Sequence, residues 1–367
     1  MAFDKVKKNL GFGCMRLKKI DDKVDYEEFN RMIDAFMAAG FNYFDTAHGY
    51  IDQQSEPSIR DCLVARYKRD EYVLADKLSE WYFEKEEDIL PLFESQLKLC
   101  GVDYFDFYLF HCITRVSYEK HKRCHSFEIV QQLKEQGKIK HIALSFHDTA
   151  DVLDRVLTEQ PYIEAVQLQI NYLDYDDPGI QSKACYDVAV KHGKKVIVME
   201  PVKGGHLVNL PDKAAKVFDE LGGGSYASYA LRYAASYPNV FMVLSGMGNT
   251  DMMQENIRTF SPFVPFSKEE FEAVDQVRKI IREERQVPCT KCNYCAEVCP
   301  KNIPISEIFS VYNQYLAAKI TVGEAQDAFP KDRSTAAECI KCGKCVTVCP
   351  QNIDVRQYME TITKIDD

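Results

Sequence analysis

The sequence predicts an α/β protein: a (β/α)8 TIM barrel followed by a small, mainly helical, cysteine-rich domain. The chain has 367 residues, a length typical of two or three domains. Its first part alternates short apolar runs with helix-like segments, as parallel strands joined by helices do. Eight of its 14 cysteines fall within the C-terminal segment 289–367, where they form an internal repeat. These features predict one large domain and one small one.

Eight apolar or β-branched runs account for the predicted barrel strands. Near-continuous apolar runs are typical of parallel strands that are covered on both faces. Between the first two runs, Phe29, Met32, Ile33, Phe36 and Met37 follow the spacing of one buried helix face, and Gly40 ends the pattern. Eight such units in about 250 residues match a (β/α)8 barrel. The runs lie at 11–17, 41–46, 72–78, 104–111, 139–146, 163–171, 194–200 and 240–247.

The competing fold is a doubly wound open sheet. That fold places a G-x-G-x-x-G turn after an early strand. Here Gly11-Phe12-Gly13 continues as Cys14-Met15-Arg16, and the second Gly-x-Gly, at 246–248, comes at the end of the series. The barrel is therefore favoured.

Charge and hydropathy exclude several classes of partner. The formal net charge is -10, so no basic excess points to nucleic acid or to an anionic lipid surface. Residues 1–17 carry five charged side chains and lack the apolar core of a signal peptide, and no run approaches the roughly 18 apolar residues of a spanning helix. We expect a cytoplasmic protein without a membrane partner. In that reducing compartment, clustered cysteines are typical metal ligands.

Four ionisable residues follow or end the early strands: Asp45, Tyr50, Lys77 and His111. The carboxyl ends of barrel strands meet at one mouth, so these side chains are expected to converge there. The set suits proton transfer. The ammonium of Lys77 is expected to lower the pKa of Tyr50, and Asp45 to keep Lys77 charged. His111 is expected to be a neutral hydrogen-bond donor to a substrate carbonyl.

Residues 9–260 resemble the aldo-keto reductases. The resemblance is carried by GFGCMRL at 11–17, FDTAHGY at 44–50, LADK at 74–77, GVDYFDFYLFH at 101–111, LKEQGKIKHIALSF at 133–146 and ALRYA at 230–234. It implies that Asp45, Tyr50, Lys77 and His111 are the catalytic residues. It also implies hydride transfer between a nicotinamide and a carbonyl, with Tyr50 as general acid in reduction and general base in oxidation.

The resemblance also implies a site for NADPH or NADH. Ser145 and Gln167 fall where the family binds the nicotinamide carboxamide, and Glu255 and Asn256 where it contacts adenine. Met199 takes the place of an aromatic residue that many members stack on the nicotinamide. Gly246 and Met252 take the places of basic residues that hold the 2′-phosphate of NADP, and residues 233–257 contain no Lys or Arg. The choice between NAD and NADP is therefore open.

The C-terminal segment carries two copies of C-x2-C-x2-C-x3-C-P, at 289–300 and 339–350. Three thiolates at this spacing reach one cubane, and the fourth ligates the other cluster. The repeat predicts one [4Fe-4S] cluster on Cys289, Cys292, Cys295 and Cys349, and a second on Cys339, Cys342, Cys345 and Cys299. Zinc is the disfavoured alternative, because it usually takes widely separated C-x2-C pairs.

This region resembles the two-cluster ferredoxins. The segment 301–338 separates the two copies and includes a helix-like stretch at 306–319, so the region is closer to the helical ferredoxin modules of larger oxidoreductases. The predicted organisation is a barrel at 1–262, a connector helix at 263–287, and a ferredoxin-type domain at 288–367.

The combination predicts a nicotinamide-dependent oxidoreductase that acts on a small carbonyl or alcohol. The clusters either exchange single electrons with a ferredoxin or flavoprotein partner or serve a structural role. The competing class is an electron-transfer or interaction protein on a barrel with weakened nicotinamide binding. Met199, Gly246 and Met252 favour that class, and the intact set of four catalytic residues argues against it.

Overall fold

The barrel prediction is confirmed in the computed structural model of the protein, which describes residues 3–283, 286–316, 319–330 and 334–366. Eight parallel strands form a closed barrel in which each strand pairs with its neighbours along the chain, and the last pairs with the first. We number these strands β1 to β8. Their bounds are β1 Leu10–Gly13, β2 Tyr43–Asp45, β3 Val73–Ser79, β4 Phe105–Ile113, β5 Ile139–Phe146, β6 Ala165–Gln169, β7 Lys195–Met199 and β8 Val240–Ser245.

Helices follow the strands, as the alternating pattern predicts. Helix α1 shows the local causes, because the Asp25 side chain caps its first turn by accepting from the Glu28 amide, and the apolar face is buried. In the barrel region the helices are α1 Tyr26–Ala38, α2 Ser55–Ile59, α3 Ile89–Cys100, α4 Arg115–Arg123, α5 Ser126–Glu135, α6 Ala150–Glu159, α7 Ser182–Lys191, α8 Asp212–Asp219, α9 Tyr226–Ala235 and α10 Thr250–Phe260.

The remaining helices are short or amphipathic. They are α11 Lys268–Glu283, α12 Tyr294–Glu297, α13 Ile305–Leu316, α14 Val322–Ala328, α15 Lys344–Thr347 and α16 Val355–Asp366. Helix α11 lies within the predicted connector, and α13 overlaps the predicted stretch 306–319 but begins one residue earlier, at Ile305. Residues 284 and 285 of that connector, and 317 and 318 of that stretch, lie outside the described residues. Within the described ranges, none of the helices combines the length and apolarity needed to cross a membrane.

Two compact units divide the described residues. The barrel unit takes in Met1–Asp177, Gln181–Pro201 and Ala227–Ser267, and the cluster unit takes in Pro178–Ile180, Val202–Tyr226 and Lys268–Asp367. The long segment after β7 therefore belongs to the cluster unit, although it lies within the predicted barrel domain in sequence.

Each unit has an apolar core of its own. The barrel interior is filled by side chains from alternate strand positions, such as Tyr43, Phe107 and Ile197. The core of the cluster unit is formed by Ile305, Phe309 and their neighbours on α13 and α16, and several of the repeat cysteines pack against it. The six cysteines outside the repeat, Cys14, Cys62, Cys100, Cys112, Cys124 and Cys185, are all buried.

Candidate functional site

A buried ion pair lies at the carboxyl ends of β2 and β3. The ammonium of Lys77 donates to Asp45 Oδ1 over 2.6 Å and to the Thr46 carbonyl over 2.7 Å. Both side chains are buried, at 1% exposure for Lys77 and 3% for Asp45. Burial disfavours the charge of Lys77, but Asp45 and Tyr50 outweigh it and hold the pKa of Lys77 above its ordinary value. Lys77 is therefore a cation at neutral pH.

Tyr50 lies in the turn after β2, beside this cation. The Lys77 Nζ atom is 4.7 Å from the centroid of the Tyr50 ring. The charge of Lys77 lowers the pKa of Tyr50, as expected from the sequence, but it is not the largest influence. Withdrawal from water raises the pKa of Tyr50 to about 12, and Lys77 offsets only part of this rise. Tyr50 is therefore a phenol rather than a phenolate near neutrality.

His111 completes the group on β4. Its ring centroid is 5.9 Å from that of Tyr50, and its Nδ1 shares a 2.6 Å hydrogen bond with Ser79 Oγ. Burial, and then the charge of Lys77, hold the pKa of His111 well below its usual range. The imidazole is therefore neutral, as predicted. The contact with Ser79 fixes the orientation of the ring through Nδ1.

The residues expected to bind the nicotinamide carboxamide lie on neighbouring strands. Ser145 on β5 pairs in register with Gln167 on β6, and both side chains are buried. The Ser145 hydroxyl is 3.9 Å from the sulfur of Met199 at the end of β7. A hydroxyl beside a side-chain amide suits the mixed donor and acceptor character of a carboxamide. The chemistry of this donor set therefore fits a nicotinamide.

The structure places a cation, Arg16, near Gly246, which the sequence did not predict. A Cβ atom built on Gly246 would lie 3.2 Å from Arg16 Cδ, and the Arg16 guanidinium is 4.0 Å from the Glu200 carboxylate. Arg16 comes from the loop after β1, at the opposite end of the barrel sequence from Gly246. Strand order accounts for the approach, since β1 pairs with β8 in the closed barrel. Because Arg16 is distant in sequence, no pattern within residues 233–257 could have predicted this cation.

The residues expected near adenine lie on α10. Asn256 is buried, and its amide donates to Ser245 Oγ over 2.9 Å at the end of β8. Glu255 is partly buried, and Met252 is exposed. Asn256 therefore fixes the end of β8 against α10, while Glu255 and Met252 line the more accessible part of the helix.

A buried pair of carboxyl groups, not predicted from the sequence, lies on the outer face of β3. Glu56 on α2 and Asp76, the neighbour of Lys77, approach each other and Cys100 closely. Burial is the main cause that raises the pKa of both carboxyl groups, to about 7 for Glu56. His48 Nδ1 is 2.9 Å from Glu56 Oε2, and Gln96 donates to Asp76 over 3.1 Å. The sequence signal that could have revealed this pair is Asp76, a carboxylate inside an otherwise largely apolar strand.

The eight repeat cysteines gather around two cavities within the cluster unit. Four of them line one cavity: Cys289, Cys292, Cys295 and Cys349. The other four line the second cavity: Cys299, Cys339, Cys342 and Cys345. We call these the first and second cysteine sets. Each set takes three cysteines from one repeat and one from the other, which is the crossed arrangement that the sequence predicts.

The thiols of each set lie close enough to affect one another. Burial raises the pKa of Cys295, and Cys292, Cys289 and Cys349 raise it further. Burial raises the pKa of Cys345 to about 11, with Cys339 the next contributor. Thiols gathered this closely disfavour one another's thiolate form, and bound iron reverses that preference. The donor set and its aliphatic lining therefore fit an iron–sulfur cluster.

Two family models match the chain. The aldo/keto reductase family model matches residues 9–279. The chain belongs to the aldo/keto reductase family. A 4Fe-4S dicluster domain model matches residues 282–354, directly after it. This aldo/keto reductase is therefore an NAD(P)-dependent oxidoreductase that carries an iron–sulfur domain.

Curated relatives of this aldo/keto reductase cover most of the barrel. It is 25% identical to an aldo-keto reductase of Mycolicibacterium smegmatis, over 64% of this chain and 79% of that protein. It is 26% identical to the 7-acetyl-epi-neemfruitin B aldo-keto reductase of Melia azedarach, over 65% of this chain and 77% of that protein.

Solved structures support the fold. The holo form of the aldo-keto reductase AKR11C1 from Bacillus halodurans matches with a TM-score of 0.62 and 22% identity, over 74% of this chain and 92% of that one. An aldo/keto reductase from Klebsiella pneumoniae in complex with NADP and acetate matches with a TM-score of 0.60 and 18% identity, over 74% of this chain and 91% of that one.

Proposed function

We propose that this aldo/keto reductase interconverts a small carbonyl compound and its alcohol, with Tyr50 as the proton donor in reduction and the proton acceptor in oxidation. The observation that carries the proposal is the convergence of Asp45, Tyr50, Lys77 and His111 at one mouth of the barrel, with Lys77 charged and His111 neutral. NADPH or NADH supplies the hydride when bound.

The residues of the chain then divide the remaining work. The charge of Lys77 favours the phenolate that Tyr50 becomes when it gives up its proton, and Asp45 holds Lys77 in place. The neutral His111 ring donates to the carbonyl oxygen, and Ser79 fixes the ring through Nδ1. When a nicotinamide cofactor is bound, Ser145 and Gln167 would hold its carboxamide, and Met199 would contact the nicotinamide. Arg16 would supply the cation for a cofactor phosphate, and Gly246, Glu255 and Asn256 would line the rest of the site.

We further propose that the cluster unit binds two [4Fe-4S] clusters, one on each cysteine set. A nicotinamide passes two electrons as hydride, whereas each cluster passes one. The clusters are therefore proposed to exchange single electrons with a separate ferredoxin or flavoprotein, rather than directly with the nicotinamide. The crossed gathering of the cysteines around two cavities supports this assignment.

The test is an anaerobic comparison of the wild type with Tyr50→Phe, both reconstituted with iron and sulfide. NADPH and NADH binding is followed by the fluorescence of Trp81, the single tryptophan, whose ring lies 5.1 Å from His111. Turnover is measured with a panel of aliphatic and aromatic aldehydes. We expect Tyr50→Phe to bind nicotinamide normally and to lose at least about a hundredfold in kcat, as for loss of a general acid.

Two results would contradict the proposal. If the wild type binds neither nicotinamide, the barrel is an interaction protein rather than a reductase. If Tyr50→Phe retains full turnover, another group supplies the proton. Bleaching of the cluster absorbance by NADPH or NADH alone would show that the nicotinamide and the clusters exchange electrons within the chain, against the proposed need for a separate partner.

A further inference from the structure

The two cysteine repeats are equivalent in sequence but not in their surroundings. Cys289 corresponds to Cys339, and a constant offset relates the rest of one repeat to the other. Many equivalent non-cysteine positions line both cavities, and at three of them the polarity or charge of the side chain differs: Thr290, Ser306 and Gln351 around the first set, and Ile340, Arg356 and Lys301 around the second. The first three are neutral and polar, and the second three are apolar or cationic.

A segment of the same unit covers the first set. This covering segment, residues 202–206, follows β7 in sequence. Lys203 is buried and donates to Gln351 Oε1 over 2.6 Å, and His206 Nε2 is 2.7 Å from the Cys289 carbonyl oxygen. A Cβ built on Gly204 would lie only 2.4 Å from the Thr290 carbonyl oxygen, so the two backbones are in close contact. Thr290 is accordingly 2% exposed.

The equivalent surface of the second set is open. Ile340, which corresponds to the buried Thr290, is 58% exposed. Lys301 and Arg356 are exposed where Gln351 and Ser306 are buried, and Cys342 is an exposed cysteine. With Ile340 and Cys342 both exposed, this side of the second set is accessible to a partner protein.

We propose that this open surface is the electron port of the protein, and that its occupant is a small, acidic, one-electron carrier protein of the flavodoxin type. The inference rests on the proposed cluster at the second set. The carrier docks over Ile340 and Cys342 and gives up one electron, which reduces that cluster by one electron. A flavodoxin hydroquinone anion then becomes the neutral semiquinone, and no proton moves.

Charge selects an acidic partner. Four exposed cations lie on the second repeat or line its cavity: Lys301, Lys341, Lys344 and Arg356. Two carboxylates accompany them, with Glu360 2.8 Å from Lys341 and Asp354 3.0 Å from Arg356. Exposed ion pairs of this kind are weak, so they do not prevent the paired cations from contacting a partner. The four cations also outnumber the two carboxylates. Among its described lining residues, the first cavity has no ionisable side chain besides cysteine.

The expected complex is transient. Electron-transfer encounters bury less area than stable complexes and depend on electrostatic steering, which raises the association rate at low salt. An apolar centre at Ile340 with a cationic rim provides such a surface. The covered first set does not, because the covering segment already occupies the equivalent place.

The experiment compares three reconstituted full-length proteins by anaerobic stopped flow with flavodoxin hydroquinone. The port variant, Lys301→Gln, Ile340→Thr and Arg356→Ser, makes the second repeat resemble the first at the three positions. The control variant, Lys213→Gln and Lys268→Gln, loses the same two charges from exposed positions of the same unit outside either lining. Semiquinone formation reports the electron transfer, and iron and sulfide content are matched beforehand.

We expect the port variant to accept electrons about tenfold or more slowly at low salt and to lose the salt dependence, because steering contributes on that scale. The control variant keeps the wild-type rate within about twofold, and dithionite reduces all three alike. The proposed port would be overturned if the port and control variants accept electrons at equal rates, or if the wild type accepts none. If the wild type accepts electrons from flavodoxin as expected but does not turn over aldehydes, that result would count against the proposed hydride chemistry and not against the port.

Discussion

At the scale of single residues, the chemistry depends on what burial does to four ionisable groups. The identities of Asp45, Tyr50, Lys77 and His111 could be predicted because each lies at or just after a strand end, where a barrel concentrates polar side chains. Their protonation could be predicted only in part. The rise in the pKa of Tyr50 and the pairing of Glu56 with Asp76 depend on packing between elements distant in sequence, for which no local pattern exists.

The pKa of Tyr50 predicts different pH profiles for the two reaction directions. Carbonyl reduction needs the phenol, which predominates at every pH well below about 12, so kcat/KM should be flat with respect to this group. Alcohol oxidation needs the phenolate, whose fraction rises about tenfold per pH unit below the pKa. The kcat/KM for oxidation should therefore rise about tenfold for each pH unit between about pH 7 and 10. Initial rates in both directions check this. A plateau in oxidation below about pH 9 would show that Lys77 outweighs burial after all.

At the scale of elements, the strands were predictable and the covering segment was not. The apolar run at 139–146 coincides with β5, and that at 163–171 contains β6 and extends beyond it at both ends. Apolar runs identify buried strands because burial on both faces demands apolar side chains along the whole strand. The covering segment has no such signal, since Lys203, Gly204 and His206 resemble an ordinary polar loop. Only their contacts with Gln351, Thr290 and Cys289 assign them to the cluster unit.

Two adjacent glycines test the covering segment. Gly204→Ala would drive a methyl group into the Thr290 carbonyl, next to Cys289, and should speed the loss of the cluster from the first set to a chelator severalfold. Gly205 is the matched control. Its φ of +98° is also unfavourable for alanine, at about 1 kcal/mol or more, but nothing lies within 4 Å of its Cβ position. The decay of the cluster absorbance with a ferrous chelator measures the rate. Equal decay in the two variants would show that the close approach to Thr290 has no role.

At the scale of the whole molecule, the chain combines two units that hold their cores by different means. The barrel unit has a closed sheet with a filled interior. The cluster unit packs short helices around eight cysteines, and several of those cysteines lie against its apolar core. Metal-dependent domains of this kind draw part of their folding free energy from the bound metal. Multi-unit chains also need not unfold in one step.

Removal of iron should therefore act on one unit. After oxidation and chelation, we expect the cluster unit to lose helical circular dichroism at a lower temperature than in the loaded protein. The barrel transition, followed by Trp81 fluorescence, should stay within a few degrees, because Trp81 and the core around it belong to the barrel unit. Cys342→Ser, which removes one exposed thiol of the second set, should reproduce part of the loss without chelator. If the Trp81 transition falls together with the circular dichroism, the barrel too draws stability from iron, and the clusters are structural for the entire chain.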